Sequence, residues 1–179
     1  DGAVLFTSSN EPGTRPRILR TVDPETGATE TVPLMDATTG VYGEGALFFT
    51  RFGKSISNDN AILYRGGRMA QLWRFDGREG REAIRLASDF DAPIRDIMWW
   101  DGRLYFFSDK DGSDNLWSMT AMGGDVRQET DFTGWQIQSP TLSDGLVVYQ
   151  RGGDLFAWDI EAGEETALDI SLKSDRDQT

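Results

Sequence analysis

Four times along the chain a short apolar strand, a tight turn, a second strand carrying an aromatic in most copies, and a polar third strand follow one another. Self-similarity at a spacing of about 40 residues marks an array of repeated sheets, and β-propellers are built this way. The clearest pair of copies is Tyr64-Arg65-Gly66-Gly67 leading into Leu72-Trp73-Arg74-Phe75-Asp76, against Tyr149-Gln150-Arg151-Gly152-Gly153 leading into Leu155-Phe156-Ala157-Trp158-Asp159. Aligning the copies at Asp23, Asp76, Thr120 and Asp159 gives spacings of 53, 44 and 39 residues. The excess in the first interval sits in a polar insertion over 52–62.

Helical periodicity is poor throughout, whereas short runs of Val, Ile, Leu, Phe, Tyr, Trp and Thr are punctuated by Gly, Asp and Asn. The expected fold is therefore all-β: about three and a half to four antiparallel four-stranded blades of a β-propeller, over roughly 1–35, 37–90, 94–132 and 136–170, with a connector at 171–179. Asp1-Gly2, Asp101-Gly102 and Asp144-Gly145 each precede an apolar strand, which suits a hairpin turn needing positive φ. Expected strands lie at 94–99, 103–108, 115–120 and 126–130 in the third unit, and at 136–142, 146–150, 154–159 and 165–170 in the fourth. The second unit is expected at 46–51, 71–76 and 82–87, behind a weak first strand near 38–42. The first unit has no first strand, because the chain opens on the turn that follows it. An incomplete ring leaves blade faces bare, and several hundred Å² of apolar surface forgoes on the order of 10 kcal/mol of gross burial. The expected partners are thus the remaining blades of a larger ring, or further copies packed through the open ends.

Cysteine and histidine are both absent from the 179 residues. Thiolate chemistry, Ser-His and Cys-His pairs, and the commonest transition-metal ligand are therefore excluded within this chain. A net charge of -12 opposes nucleic acid, whose phosphates require clustered Lys and Arg. There is no run of 18 apolar residues to suggest a membrane helix, and the longest stretches are strand-sized, such as Ala46-Leu47-Phe48-Phe49. The chain starts at Asp1 without a signal-like apolar block, so its start carries no targeting information.

Asp109-Lys110-Asp111-Gly112-Ser113-Asp114-Asn115 gathers carboxylates as a calcium loop does, but the register fails. Counting from Asp109, Asp114 falls where an EF-hand needs Gly, and Thr120 where it needs Glu. A hairpin turn accounts for the same residues without metal. Gly53-Lys54-Ser55 resembles the end of a P-loop, yet Phe48 stands where the earlier Gly belongs. Nothing in the sequence calls for a cofactor. Trp73, Trp117 and Trp158 on third strands, and Trp99-Trp100 ending a first strand, suit either inter-blade cores or a stacking platform. First strands line a propeller's channel, so Arg95, Asp96, Gln136 and Gln138 are candidate channel-lining residues, with strand alternation deciding which member of each pair faces it. Arg65, Arg68 and Arg151 beside Gly-Gly pairs can hold a peptide carboxylate, or simply face solvent.

Phe107-Ser108-Asp109-Lys110-Asp111-Gly112 followed by Asn115-Leu116-Trp117-Ser118 resembles the strand-turn-strand of TolB-like propeller repeats. Leu63-Tyr64-Arg65-Gly66-Gly67 with Leu72-Trp73, then Phe132-Thr133-Gly134-Trp135 through Ser139-Pro140 and Gly152-Gly153-Asp154-Leu155, resembles more narrowly the amino-terminal six-bladed propeller of the tricorn protease family. Met119-Thr120-Ala121-Met122 departs from that repeat, which usually has an aspartate there. The resemblance implies later blades of that propeller, guiding or filtering peptides for a distant serine-peptidase core in a cytoplasmic particle. It places no catalytic residue on any position of this chain. Two other readings remain open at this point: a TolB-type interaction propeller, which implies a periplasmic location, and a propeller cap on a prolyl-oligopeptidase-type hydrolase.

Overall fold

Residues 2–8, 17–52, 63–78 and 80–171 are described by the structure, a computed structural model. Among them all helices are absent, and fifteen strands form four antiparallel sheets, each a meander in chain order. The first sheet holds β1 (Val4–Ser8), β2 (Ile18–Val22) and β3 (Thr29–Thr31). The second holds β4 (Ala37–Gly43), β5 (Ala46–Arg51), β6 (Gln71–Phe75) and β7 (Ile84–Arg85). The third holds β8 (Arg95–Trp100), β9 (Arg103–Ser108), β10 (Asn115–Thr120) and β11 (Arg127–Gln128). The fourth holds β12 (Ile137–Ser143), β13 (Leu146–Arg151), β14 (Asp154–Asp159) and β15 (Glu164–Leu168). The first strands touch in series, β4 against β8 and β8 against β12, as the inner strands of successive propeller blades do.

The turns joining first to second strands follow from local chemistry. Glu44-Gly45, Asp101-Gly102 and Asp144-Gly145 all have both residues at positive φ, the geometry that matches the twist of a tight hairpin. The sequence announces two of these. Glu44 carries no such signal, because Glu is not a residue that favours the left-handed region. Outer strands are shorter than their pattern suggests, with β7 and β11 only two residues each. At β11 a side chain takes over the ladder: the Leu116 N–H donates to Thr130 Oγ1 at 2.9 Å instead of to a backbone carbonyl.

Among the described residues the buried apolar side chains form three wedges between neighbouring sheets. Along β5, Ala46 and Phe48 enter the wedge shared with the third sheet, while Leu47 and Phe49 enter the one shared with the first. Along β9, Leu104 and Phe106 face the second sheet, and Tyr105 and Phe107 face the fourth. Continuous apolar runs are therefore strands buried on both faces, which period-2 alternation splits between two interfaces. Aromatics bridge the wedges. Phe48 stacks on Trp99 with centroids 5.2 Å apart, and Phe107 meets Tyr149 edge-on at 5.9 Å. Trp117 is buried in this way, whereas Trp73 and Trp158 are only half-buried against their wedges. The outermost faces are different. Val4 and Phe6 on the first sheet, and Leu146, Leu155 and Leu168 on the fourth, stay exposed.

The stacked Trp99 requires a glycine opposite it. A Cβ at Gly43 would sit 2.2 Å from the Trp99 ring, far inside contact distance. Gly43→Ala is expected to destabilise the protein by about 1–3 kcal/mol through overpacking. Gly67→Ala, where a Cβ meets nothing within 4 Å, should change stability by less than about 0.5 kcal/mol. Denaturant midpoints of the two variants check this; equal values would contradict it.

Candidate functional site

The inner strands share an irregularity that alternation alone does not foresee. Each carries one extra residue relative to its partner strand, between Ala37 and Thr39 in β4, Arg95 and Met98 in β8, and Gln138 and Thr141 in β12. Asp96 and Ser139, each five residues ahead of a turn aspartate, sit at φ 51° and 50°. A bulge of this kind re-aims side chains and bends the strand. Simple parity therefore cannot assign Arg95 or Asp96, and Gln138, to the channel side.

The candidate residues do not form one cluster. Arg95 is tied by an ion pair to Asp114, with the two side chains 12% and 1% exposed. Asp96 is half-buried and engaged with its surroundings. Arg68 is exposed in the segment before β6, where its N–H donates to the Tyr64 hydroxyl at 3.5 Å. Only Gln136 and Gln138 come together. With Trp135 and Arg151 they line an open groove of about 640 Å³ at the start of β12. Trp135 is 74% exposed and lies across Gly152 in the β13–β14 hairpin. It escaped the sequence reading as a site residue; its only signal was a place in the Gly134-Trp135 pair.

Arg65 and Arg151 turn out neither free for a peptide nor simply solvated. Arg151 pairs with Glu165 at 2.8 Å while its guanidinium lies 4.4 Å from the ring centres of Phe132 and Phe156. Tyr149 donates to the same Glu165, and burial, followed by that hydrogen bond, pushes its phenol well above the ordinary tyrosine value. Arg65 pairs with Asp109 at 2.8 Å.

The Asp109–Asn115 turn is a polar clamp between blades. Asp109, buried, also accepts the Leu63 N–H at 2.5 Å, while Arg65 donates to its backbone carbonyl at 3.1 Å. That ties the third blade to the segment entering β6 of the second. Asp114 takes Arg95 on one oxygen and the Ile137 N–H, at 3.2 Å, on the other. That ties the third blade to β12 of the fourth. Asn115 Oδ1 accepts from Thr130 Oγ1 at 2.9 Å and from the Phe132 N–H. Two of the carboxylates that suggested calcium are thus committed to arginines, and among the described residues no group of three or more acidic side chains is placed to hold a metal ion.

With four radial sheets, inner strands in series and inter-blade wedges established, comparison with known proteins decides the family. Residues 1–164 match the model of the tricorn protease N-terminal beta propeller domain. The chain belongs to that family. A tricorn protease homolog from Saccharolobus solfataricus is 28% identical over 155 residues, which is 87% of this chain and 14% of the relative. Tricorn protease homolog 1 from Streptomyces coelicolor is 34% identical over 110 residues, 61% of this chain and 10% of the relative. The chain therefore spans only a small part of the relatives it matches. The crystal structure of the tricorn protease superposes with a TM-score of 0.83 at 19% identity, covering 99% of this chain and 17% of that one. TolB from Acinetobacter baumannii shares the fold at a TM-score of 0.64 and 17% identity, covering 93% of this chain and 40% of that one.

The Asp114–Arg95 pair can be tested directly. Breaking a buried ion pair by removing one partner leaves an uncompensated charge and costs about 3–5 kcal/mol. Asp114→Ala is expected in that range, and a double-mutant cycle with Arg95→Ala should return a clear coupling energy in unfolding experiments. Strictly additive losses would disprove the clamp.

Proposed function

We propose that this chain is a non-catalytic propeller portion of a tricorn-like serine protease, guiding or filtering peptides for a catalytic core elsewhere in the parent protein. Its partners are then the remaining blades and the core, in a cytoplasmic particle. The apolar faces left open at Val4 and Phe6, and at Leu146, Leu155 and Leu168, suit further blades continuing the ring on both sides. The absence of histidine and cysteine supports a role without nucleophilic catalysis in these residues.

The observation that carries the guiding role is the groove at the start of β12. It combines an exposed indole with two amides, Gln136 and Gln138, beside an inner strand. Amides hydrogen-bond a peptide backbone without preference for its side chains, and an indole face adds sequence-tolerant apolar contact. A surface of this composition retains peptides weakly, as a conduit requires.

Trp135→Ala and Gln138→Ala in the full assembly are expected to leave the unfolding midpoint nearly unchanged, because both side chains are exposed. They should alter peptide turnover severalfold or shift the length distribution of products. Unchanged rates and product lengths would sink the guiding role. The isolated 179-residue chain is expected to hydrolyse no peptide bond, and sustained cleavage by the purified chain would refute a purely scaffolding part.

A further inference from the structure

The repeat provides an internal control for a second site. Arg51 and Arg151 each stand seven residues after the first residue of a hairpin turn, at the end of the second strand of their blades. Each lays its guanidinium over the aromatic of the third strand, Arg51 5.1 Å from the Trp73 ring centre and Arg151 4.4 Å from that of Phe156. In the fourth blade Glu165, opposite Trp158 on β15, neutralises Arg151. Extending the β6–β7 register by one pair puts Ala83 at the matching place in the second blade. Arg51 therefore keeps the stacking but loses the counter-ion. Its buried Nε has no hydrogen-bond partner, and neither does the buried indole N–H of Trp73 beside it.

What stands there instead is space. An open pocket of about 860 Å³, where residues 33–35 leading out of the first blade meet the second, is lined by Arg51 and Trp73, with Arg78 and Arg81 toward the β6–β7 hairpin. Among the described residues of the lining Glu82 is the acidic side chain, and Leu34 and Met35 supply an apolar wall. Arg78 has only a long contact to Asp76, at 3.9 Å, and is 74% exposed. The charged residue of this lining that lies over the indole, Arg51, has no carboxylate partner among the described residues. A partly buried guanidinium without an anion is costly, and an organic carboxylate is the partner whose geometry it fits best.

We propose that this pocket binds an organic carboxylate carried on an apolar body, the carboxylate taken by Arg51 in the role that Glu165 plays toward Arg151, and the apolar body resting on Trp73, Leu34 and Met35. The site is independent of the groove at β12. Both a free acid and the C-terminal residue of a peptide have this chemistry.

Calorimetric titration of the full-length protein with 3-phenylpropionate, N-acetylphenylalanine and N-acetylphenylalanine amide tests it. Both acids are expected to bind at least about tenfold more tightly than the amide. Tighter binding of N-acetylphenylalanine than of 3-phenylpropionate identifies a peptide terminus as the source, and the reverse identifies a free acid. Arg51→Gln should abolish the difference between acid and amide. Ala83→Glu, which installs the counter-ion that the fourth blade already has, should abolish acid binding while leaving the thermal midpoint unchanged or raised. Equal binding of acid and amide, or acid binding retained in Ala83→Glu, overturns the proposal. Inorganic phosphate binding as tightly as the acids overturns the apolar half of it.

Discussion

Burial of sheet faces against neighbouring sheets is the constraint on which this structure rests. A four-stranded meander of short strands cannot hold itself in water, because it has two sides and no interior. Here each sheet borrows its interior from its neighbours. Phe106 is buried because Leu72 and Phe48 share its wedge, and Phe107 because Tyr149 and Ile137 share the next. Burying each such side chain contributes about 1.5–3 kcal/mol, so each wedge is a substantial interface rather than a contact. Stability in such an array is a sum of nearest-neighbour terms. The third sheet, covered on both sides, has β9 and β10 almost wholly buried, while β14 of the fourth has no fully buried residue.

Apolar wedges alone would leave blades free to slide, since dispersion and the hydrophobic effect are not directional. Direction comes from the polar turn between β9 and β10. Asp109 reaches back one blade and Asp114 reaches forward one, each buried and each satisfied by both a guanidinium and a backbone N–H. Displacing one blade against the next would strand a buried carboxylate, a much steeper penalty than losing a few apolar contacts. Carboxylates that looked like ligands for a cation are instead the pins that fix the angle between blades.

Much of this was legible in the chain. The fifteen strands follow the apolar runs and the Asp-Gly turns closely: 103–108, 115–120, 154–159 and 46–51 coincide with β9, β10, β14 and β5. Local patterning decides those segments, because both faces are buried and both neighbours in sequence are turns. The outer strands were overestimated, since their pairing is cut short by tertiary hydrogen bonds such as that of Thr130. The candidate site was less legible for a related reason. Arg95 reads as a polar channel residue, and only the fold shows that Asp114 lies within reach of it. Bulges at Asp96 and Ser139 defeated alternation because a single inserted residue reverses every facing beyond it. The family resemblance was legible in the Gly-Gly and Ser-Asp-x-Asp-Gly turns, and the family match over residues 1–164 agrees with it.

Where repeats share a scaffold, the informative positions are those at which copies solve the same local problem differently. Position seven after the hairpin turn is arginine, serine and arginine in the second, third and fourth blades, at Arg51, Ser108 and Arg151. In the third blade the small Ser108 is wholly buried, and the cation over a nearby ring is supplied from the turn by Lys110, 4.6 Å from the centre of Phe90. In the fourth, Arg151 is stacked and neutralised by Glu165. In the second it is stacked and not neutralised. Packing explains the first two without reference to any ligand, since the third blade places no arginine at this position and the fourth pairs its own with Glu165. The third solution leaves a cation over an indole at the edge of a cavity, a local departure from satisfied packing that its sister blades show to be avoidable. The scaffold does not require this departure, and that makes it the position at which function rather than folding has the stronger claim on the residue.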